Sequence, residues 1–370
     1  MGSIMVVGTT SHAGKSLLTA TLCRMLYRQG HRVTPFKGQN MALNAYVTAS
    51  GHEIGHAQAV QAWAAGVEPQ VEMNPVLLKP QGDMTSQVIL NGKAVGRVNA
   101  ANYYRDYFDR GWGAITQSLD ALKTQYDWIV CEGAGSPAEI NLKHRDMTNM
   151  RVAKYLNAPT ILVADIDRGG VFAHIVGTLQ LLDPDERALI KGFIINKFRG
   201  HLSLLESGVK WLEDYTGIPV LGVIPYLPQA FSAEDSLSLF ERRTSSSTAE
   251  IIIAVIRLPR IANFTDFEPL EAEAGVHIRY VAPGQDLGQP DAVILPGSKT
   301  TLSDLETLND AGLSQQIQAY SQQGGLVFGI CGGLQMLGEH IADPEQLEGG
   351  SAEQSGLGLL PIKTVITPKR

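Results

Sequence analysis

The stretch Gly8-Thr9-Thr10-Ser11-His12-Ala13-Gly14-Lys15-Ser16 follows the apolar run Ile4-Met5-Val6-Val7 and leads into Leu17-Leu18-Thr19. A strand, a glycine-bounded loop ending Gly-Lys-Ser and then a helix is the order that a phosphate-binding loop requires. Backbone N–H groups of such a loop, with the N-terminus of the following helix, cradle phosphate oxygens. Gly8, Thr9, Ala13 and Gly14 would line that cradle. Lys15 would reach the β- and γ-phosphates of ATP, and Ser16 would bind Mg²⁺.

The residues around the loop repeat one rhythm, a short β-branched run followed by a longer amphipathic stretch. Strands are expected at Ile4–Val7, Arg32–Phe36, Trp128–Cys131, Thr160–Ala164, Gly192–Ile195 and Val220–Ile224. Alternation of this kind predicts a parallel sheet with helices on both faces. Residues 74–102, which hold Pro75, Pro80, Gly82, Gly92 and Gly96, interrupt the rhythm as an inserted loop or hairpin. Three further strand ends carry polar groups to the edge where the phosphate loop lies. Trp128-Ile129-Val130-Cys131-Glu132 ends in a carboxylate, a candidate Mg²⁺ or water-orienting ligand. Asp165-Ile166-Asp167-Arg168-Gly169-Gly170 adds carboxylates and a cation, and Asn196 is placed to read an adenine edge.

After Pro225-Tyr226-Leu227-Pro228 the pattern is lost. Residues 229–249 include Arg242-Arg243-Thr244-Ser245-Ser246-Ser247-Thr248 and read as a linker between domains 1–228 and 250–370. A second α/β series follows, with strands at Ile251–Ile256, His277–Val281, Ala292–Leu295 and Leu326–Ile330. Gly329-Ile330-Cys331-Gly332-Gly333-Leu334-Gln335 then forms a strand-to-helix turn of small residues, the device that exposes a nucleophile. Cys331 at a helix N-terminus gains thiolate character. Backbone N–H groups near Gly332, with the Leu295-Pro296-Gly297-Ser298-Lys299 loop, would stabilise an oxyanion. A cysteine nucleophile needs a base. His340, the only histidine after Cys331, reads as lying on the same helical stretch and pointing away from the thiol.

Composition excludes several classes. The chain has 370 residues, 44% hydrophobic and only 18% charged, which suits two well-buried α/β domains and not a coiled coil. An acidic balance of -7 argues against nucleic acid as a partner. The longest apolar run, Ile251–Ile256, is far too short to span a bilayer, and the N-terminus lacks the features of a signal peptide. Three distant cysteines make no disulfide framework, so Cys23 and Cys131 read as buried structural thiols and the expected location is cytoplasmic. His52-Glu53-Ile54-Gly55-His56 matches a zinc-protease spacing, but Gly51 and Gly55 weaken the helix that it needs, and the expected reading is a helix start.

With these segments in order, the chain resembles the cobyric acid synthase family of glutamine-dependent amidotransferases in cobalamin biosynthesis. The resemblance spans essentially the whole chain. Besides the phosphate loop and the cysteine elbow it rests on Phe36–Asn44, Glu53–Ala59, Met73–Pro80, Glu132–Asn141, Asp165–Phe172 and Leu295–Lys299. It implies a P-loop-type α/β parallel sheet followed by a class I glutamine amidotransferase-like α/β domain. It implies ATP- and Mg²⁺-dependent amidation of four peripheral carboxylates (b, d, e, g) of adenosylcobyrinic acid a,c-diamide, through an acyl phosphate and ammonia from L-glutamine. On that basis Lys15, Lys37, Asp146 and Cys331 are candidate catalytic residues. Asn40, Asp167 and Arg168 would orient the corrinoid substrate, Gly297, Gly332 and Gln335 would serve the glutamine, and Met73–Val88 would contact the corrin.

Two departures stand out: His12 occupies a position where the family pattern leads one to expect an acidic residue, and the catalytic histidine of such glutaminases lies farther downstream than this chain extends. The second leads to the expectation that the glutaminase domain is C-terminally incomplete while the synthetase half is whole. Three other readings stay open. One is the neighbouring a,c-diamide synthase. Another is an ATP-binding scaffold with an inactive glutaminase lobe. The third is a nucleotide switch of the deviant Walker type, whose signature lysine is replaced here by Thr9, Thr10 or Ser11. Oligomeric state is left open.

Overall fold

The computed structural model describes residues 1–81, 84–227, 250–348 and 351–367. The chain divides into two compact units. Met1–Met41, Ala45–Leu78 and Gln87–Phe231 form the first; Ala42–Asn44, Lys79–Ser86 and Ser232–Arg370 form the second. The expected linker at 229–249 lies outside the described residues.

The first half runs β1 (Gly2–Gly8), α1 (Lys15–Arg28), β2 (Val33–Phe36), β3 (Gln39–Met41), β4 (Ala45–Val47), β5 (Glu53–Gly55) and α2 (His56–Ala64). Then come β6 (Val76–Pro80), β7 (Thr85–Leu90), β8 (Lys93–Asn99), α3 (Ala100–Gln125), β9 (Trp128–Glu132), α4 (Met150–Leu156) and β10 (Thr160–Asp165). It closes with α5 (Val171–Leu181), α6 (Pro184–Arg187), β11 (Ile190–Phe198), α7 (Glu206–Thr216) and β12 (Val220–Pro225). Each expected strand forms, with its ends moved by up to three residues. They build one six-stranded sheet of order β12-β11-β10-β1-β9-β2, every pairing parallel.

Both faces of the sheet are buried, which is why its strands read as near-continuous apolar runs. Met5 and Val7 of β1 join Ile129, Leu162, Phe193 and Ile195 in a core against Ile115, Leu119 and Leu122 of α3. The alternate residues Val6, Val163 and Ile194 pack with Ala13 and Leu18 on the other face. Asn99 caps α3 by accepting a hydrogen bond from the Ala101 N–H. From β1 the chain passes first to the β2 side and later crosses to β10, so β1 marks the switch point beside which ligands bind in such sheets.

Residues 74–102 are more ordered than a loop. They hold β6, β7 and β8, which with β3 make a sheet of order β3-β6-β7-β8, and Asn91 and Gly92, both at positive φ, turn between β7 and β8. The expectation of a helix start at His52–His56 is corrected. Glu53–Gly55 is a strand, antiparallel to β4, and α2 begins only at His56. His52 and His56 therefore do not share a helix face. Cys23 and Cys131 are buried, and burial pushes both thiols up from their ordinary range.

The second half contains β13 (Ile251–Ile256), β14 (Ile261–Ala262), α8 (Glu268–Glu271), β15 (Val276–Val281), β16 (Ala292–Leu295) and β17 (Gly297–Ser298). They are followed by α9 (Thr301–Asp310), α10 (Leu313–Gln322), β18 (Leu326–Gly329), α11 (Gly332–Met336), β19 (His340–Ala342), β20 (Glu353–Ser355) and β21 (Lys363–Val365). A parallel sheet of order β15-β13-β16-β18 packs Val255, Val293 and Leu295 against Leu302, Leu305 and Leu308 of α9. The helix after Cys331 is shorter than its sequence suggests. It ends at Met336, and His340 lies on β19, where its Nε2 faces the Glu353 carboxylate at 3.5 Å. The last strand among the described residues, β21, runs parallel to β19.

Candidate functional site

In the first unit three segments distant in sequence converge on Glu132 at the end of β9. The Ser16 hydroxyl donates to its Oε1 at 2.8 Å, and the Lys37 ammonium reaches the same oxygen at 3.0 Å. Gln61 Nε2 donates to Oε2 at 2.5 Å. Lys37 and Glu132 are almost fully buried, so each depends on the other for its charge balance. The phosphate loop bends back over this group. Gly14 sits at φ 101°, and a Cβ there would run into Asn196 Nδ2, so only glycine fits. Gly8 packs under Lys15, whose Nζ donates to the Thr10 and Gly135 carbonyls at 3.0 and 3.1 Å. Thr9 N–H donates to the Val163 carbonyl, tying the loop to β10, while His12 stands exposed at the apex with φ 60°.

Several expected site residues have other partners. Asn196 Nδ2 donates to the Ala13 carbonyl at 2.8 Å, so Asn196 props the phosphate loop from below. Asp146 caps the turn into α4, accepting from the N–H groups of Thr148, Asn149 and Arg151. Its carboxylate is thereby spent on holding Asn149, whose Nδ2 donates to the Ala134 carbonyl just beyond Glu132. Asn40 is buried, with Nδ2 on Gln58 Oε1 and Oδ1 accepting from the Met41 N–H. Asp167 and Arg168 are exposed at the rim, where Asp167 pairs with Arg199 at 2.8 Å.

Gln61 was not anticipated. Its only signal is a polar residue repeated at helical spacing, Gln58 and Gln61, within the otherwise apolar Ala57–Ala65. The atoms around this point that could face a cation are all oxygens: the Ser16 hydroxyl, the Glu132 carboxylate, and Gln61 Oε1, a buried atom without a hydrogen-bond partner among the described residues. That set suits a hard divalent cation such as Mg²⁺.

In the second unit Cys331 is exposed at the turn between β18 and α11, with φ 50° and ψ −110°. A non-glycine residue in such a conformation costs on the order of 1–3 kcal/mol and is held by its surroundings. Here the surroundings are glycines packed on backbone. A Cβ at Gly333 would collide with the Leu295 carbonyl, one at Gly332 would lie 2.9 Å from the Ser298 nitrogen, and one at Gly329 would lie 2.7 Å from the Leu334 nitrogen. Gly297 lies alongside, where its Cβ would be 3.8 Å from that of Cys331. Gln335 is one turn on, its Oε1 3.4 Å from the Thr301 hydroxyl, and the Glu348 carboxylate accepts from the Thr301 N–H.

Beneath β17 lies Asp304, also unanticipated. It is buried and accepts from the Ser298 hydroxyl at 2.6 Å and from the Arg260 N–H at 3.2 Å. Burial pushes its carboxyl up to about 6 from 3.8, and burial raises Glu348 nearby. A raised carboxyl favours the protonated fold. This contribution to stability is complete below pH 4, is lost as pH rises through 6, and leaves a constant cost above that. Holding the carboxyl ionised at pH 8 costs about 3 kcal/mol at most. Asp304→Asn is therefore expected to unfold at a higher temperature than the parent at pH 8, with the gap closing below pH 4. A gap independent of pH would contradict the assignment.

The family model described as a CobQ/CobB/MinD/ParA nucleotide binding domain matches residues 4–239. A CobB/CobQ-like glutamine amidotransferase domain matches residues 252–370. The chain is 74% identical over 367 residues to the cobyric acid synthase of Acaryochloris marina, covering 99% of this chain and 74% of that protein. It is 69% identical over 372 residues to the Nostoc punctiforme enzyme of the same name, covering 100% and 75%. With the Synechocystis cobyric acid synthase it shares 68% identity over 370 residues, covering 100% and 74%.

Proposed function

Because this chain belongs to the cobyric acid synthase family, we propose that it amidates the b, d, e and g carboxylates of adenosylcobyrinic acid a,c-diamide, using ATP and an ammonia equivalent from glutamine. Residues 1–228 are assigned the synthetase step and 250–370 the glutamine step. The observation that carries the synthetase assignment is the convergence of Ser16, Lys37 and Gln61 on buried Glu132 beneath the phosphate loop.

A carboxylate resists attack by ammonia because its leaving group is oxide. Phosphorylation by ATP gives an acyl phosphate, which loses phosphate readily. In this reading the N–H groups of Gly8–Ser16 hold the nucleotide phosphates, and Lys15 turns from the Thr10 and Gly135 carbonyls onto the β- and γ-phosphates. Ser16 and Glu132 would hold Mg²⁺, which when bound neutralises phosphate charge. Lys37, drawn from Glu132, balances charge on the transferring phosphoryl group and the acceptor carboxylate. Asp146 fixes the Ala134–Gly135 backbone through Asn149 and so shapes the wall that faces Lys15.

At the second unit the Cys331 thiolate would attack the carboxamide of glutamine. N–H groups at Gly332 and in the Gly297–Ser298 loop would stabilise the oxyanion; the amide nitrogen takes a proton from solvent as the C–N bond breaks and departs as ammonia, leaving a thioester that water hydrolyses. Gln335 and Thr301 line the approach one turn beyond the sulfur.

The test is mass spectrometry of the corrinoid after incubation with ATP and Mg²⁺, one arm containing ammonium and the other glutamine. Four successive amidations of the a,c-diamide are expected in the ammonium arm. Any glutamine-supported amidation is expected to vanish in Cys331→Ala, with the ammonium arm within about twofold of the parent. Amidation of cobyrinic acid at a and c instead would assign the chain to the neighbouring diamide synthase. No ATP-dependent amidation in either arm would overturn the enzyme reading.

A further inference from the structure

We propose that Gln58 and Gln61 hold one molecule of neutral ammonia beside Glu132. The proposal rests on the reading that the first unit amidates a carboxylate with ammonia. Both side chains are fully buried on α2, at positions i and i+3 that share one face of the helix. Each spends one end of its amide on the protein. Gln58 Oε1 accepts from Asn40 Nδ2 at 3.0 Å, and Gln61 Nε2 donates to Glu132 Oε2 at 2.5 Å. The other two ends, Gln58 Nε2 and Gln61 Oε1, have no hydrogen-bond partner among the described residues.

Which end of each amide is left over is fixed by its partners. Glu132 is paired with Lys37, and an ionised carboxylate only accepts, so Gln61 must turn its nitrogen to it. Asn40 Oδ1 accepts from the Met41 N–H, which leaves Asn40 its nitrogen to donate, so Gln58 must face it with oxygen. The result is a buried donor and a buried acceptor one helical turn apart. Buried amide atoms left unpaired are costly, and a small molecule that accepts from Gln58 and donates to Gln61 would satisfy both. Ammonia does so through its lone pair and its N–H groups. Ammonium has no lone pair and would set an N–H against that of Gln58. The Lys37–Glu132 pair, balanced in charge, offers nothing to offset this. The pair of glutamines thus retains nitrogen in its nucleophilic form, one hydrogen bond from Glu132. On release, the lone pair forms the C–N bond to the acyl phosphate. The C–O bond to phosphate breaks with its electrons on phosphate, which also takes the proton that nitrogen sheds. A carbonyl oxygen has two lone pairs, so accepting from ammonia does not use up Gln61 Oε1.

The experiment measures amidation of the corrinoid a,c-diamide by the full chain with ATP and Mg²⁺ while ammonium chloride is varied. Gln58→Met keeps the volume and removes the donor. It is expected to raise KM for ammonia about 10-fold, with kcat within about threefold and KM for ATP within about twofold of the parent. A purely structural role would instead lower kcat or raise both KM values together. Gln58→Asn, which withdraws the donor by one methylene, is expected to raise KM for ammonia likewise and serves if the methionine variant fails to fold by circular dichroism. In the parent, KM expressed as free ammonia is expected to stay constant from neutral to mildly alkaline pH. If KM is constant as total ammonium instead, the cation binds and the proposal is overturned. KM for ammonia within about twofold of the parent in the folded variants would mean that the pair holds ordinary water, and would overturn it as well. Both of those results leave the amidation itself in place. No amidation by the parent with ammonium would remove the functional reading, and the proposal with it.

Discussion

Lys37→Met is expected to abolish ATP-dependent amidation in the ammonium arm and to destabilise the first unit by about 3–5 kcal/mol. The stability loss does not measure the attraction between the two charges. Bringing Lys37 and Glu132 out of water costs nearly what their attraction returns, but removing one partner leaves the other charged and buried. Of the three partners described, Glu132 would keep the Ser16 hydroxyl and the Gln61 amide, neither of which carries a charge. The double variant Lys37→Met/Glu132→Leu is expected to recover most of the stability and none of the activity. All four tryptophans, Trp63, Trp112, Trp128 and Trp211, belong to the first unit, so denaturant titration followed by tryptophan fluorescence reads it directly. A single variant as stable as the parent would show that the pair is not confined as described.

Gly333→Ala is expected to eliminate the reactivity of Cys331 toward a chloroketone analogue of glutamine. The added methyl meets the Leu295 carbonyl, which is backbone in a buried strand and has no rotamer by which to yield. Overpacking of this kind costs about 1–3 kcal/mol or more, and relief by shifting α11 would carry Cys331 out of its strained geometry. Gly297→Ala provides the contrast. Its Cβ stands at ordinary contact distance from Cys331, and it is expected to leave the thermal midpoint unchanged. Equal behaviour of the two variants would contradict the packing at the elbow.

The parallel sheets were legible because each strand is buried on two faces and so appears as an unbroken apolar run. The phosphate loop and the cysteine elbow were legible because glycine is required at fixed offsets there. Gln61 and Asp304 were not, since each acts through hydrogen bonds to residues distant in sequence, and a single buried amide or carboxylate looks like any polar interruption of a helix. Asp146 and Asn40 could be named from their segments, but that one caps the turn into α4 and the other joins a buried amide pair depends on contacts made only in the folded chain. Lys37 and Glu132 could be named from their segments, but that they would meet at 3.0 Å depends on β2 lying beside β9, a pairing of strands 95 residues apart.

That strand order also sets a timetable for synthesis. Ser16 waits for Glu132, and Ala13 waits for Asn196, 183 residues downstream. At 5–20 residues per second, a ribosome needs roughly 10–40 s to cover that distance. For much of that interval β1, the central strand, has emerged without either neighbour, exposing Met5, Val6 and Val7 on both faces. Until Glu132 and Asn196 have emerged the phosphate loop lacks both partners, so ATP is expected to help the first half fold only late in its synthesis. Shielding must come from elsewhere until β9 and β10 arrive, and the completed sheet is the earliest species that ligand binding can protect.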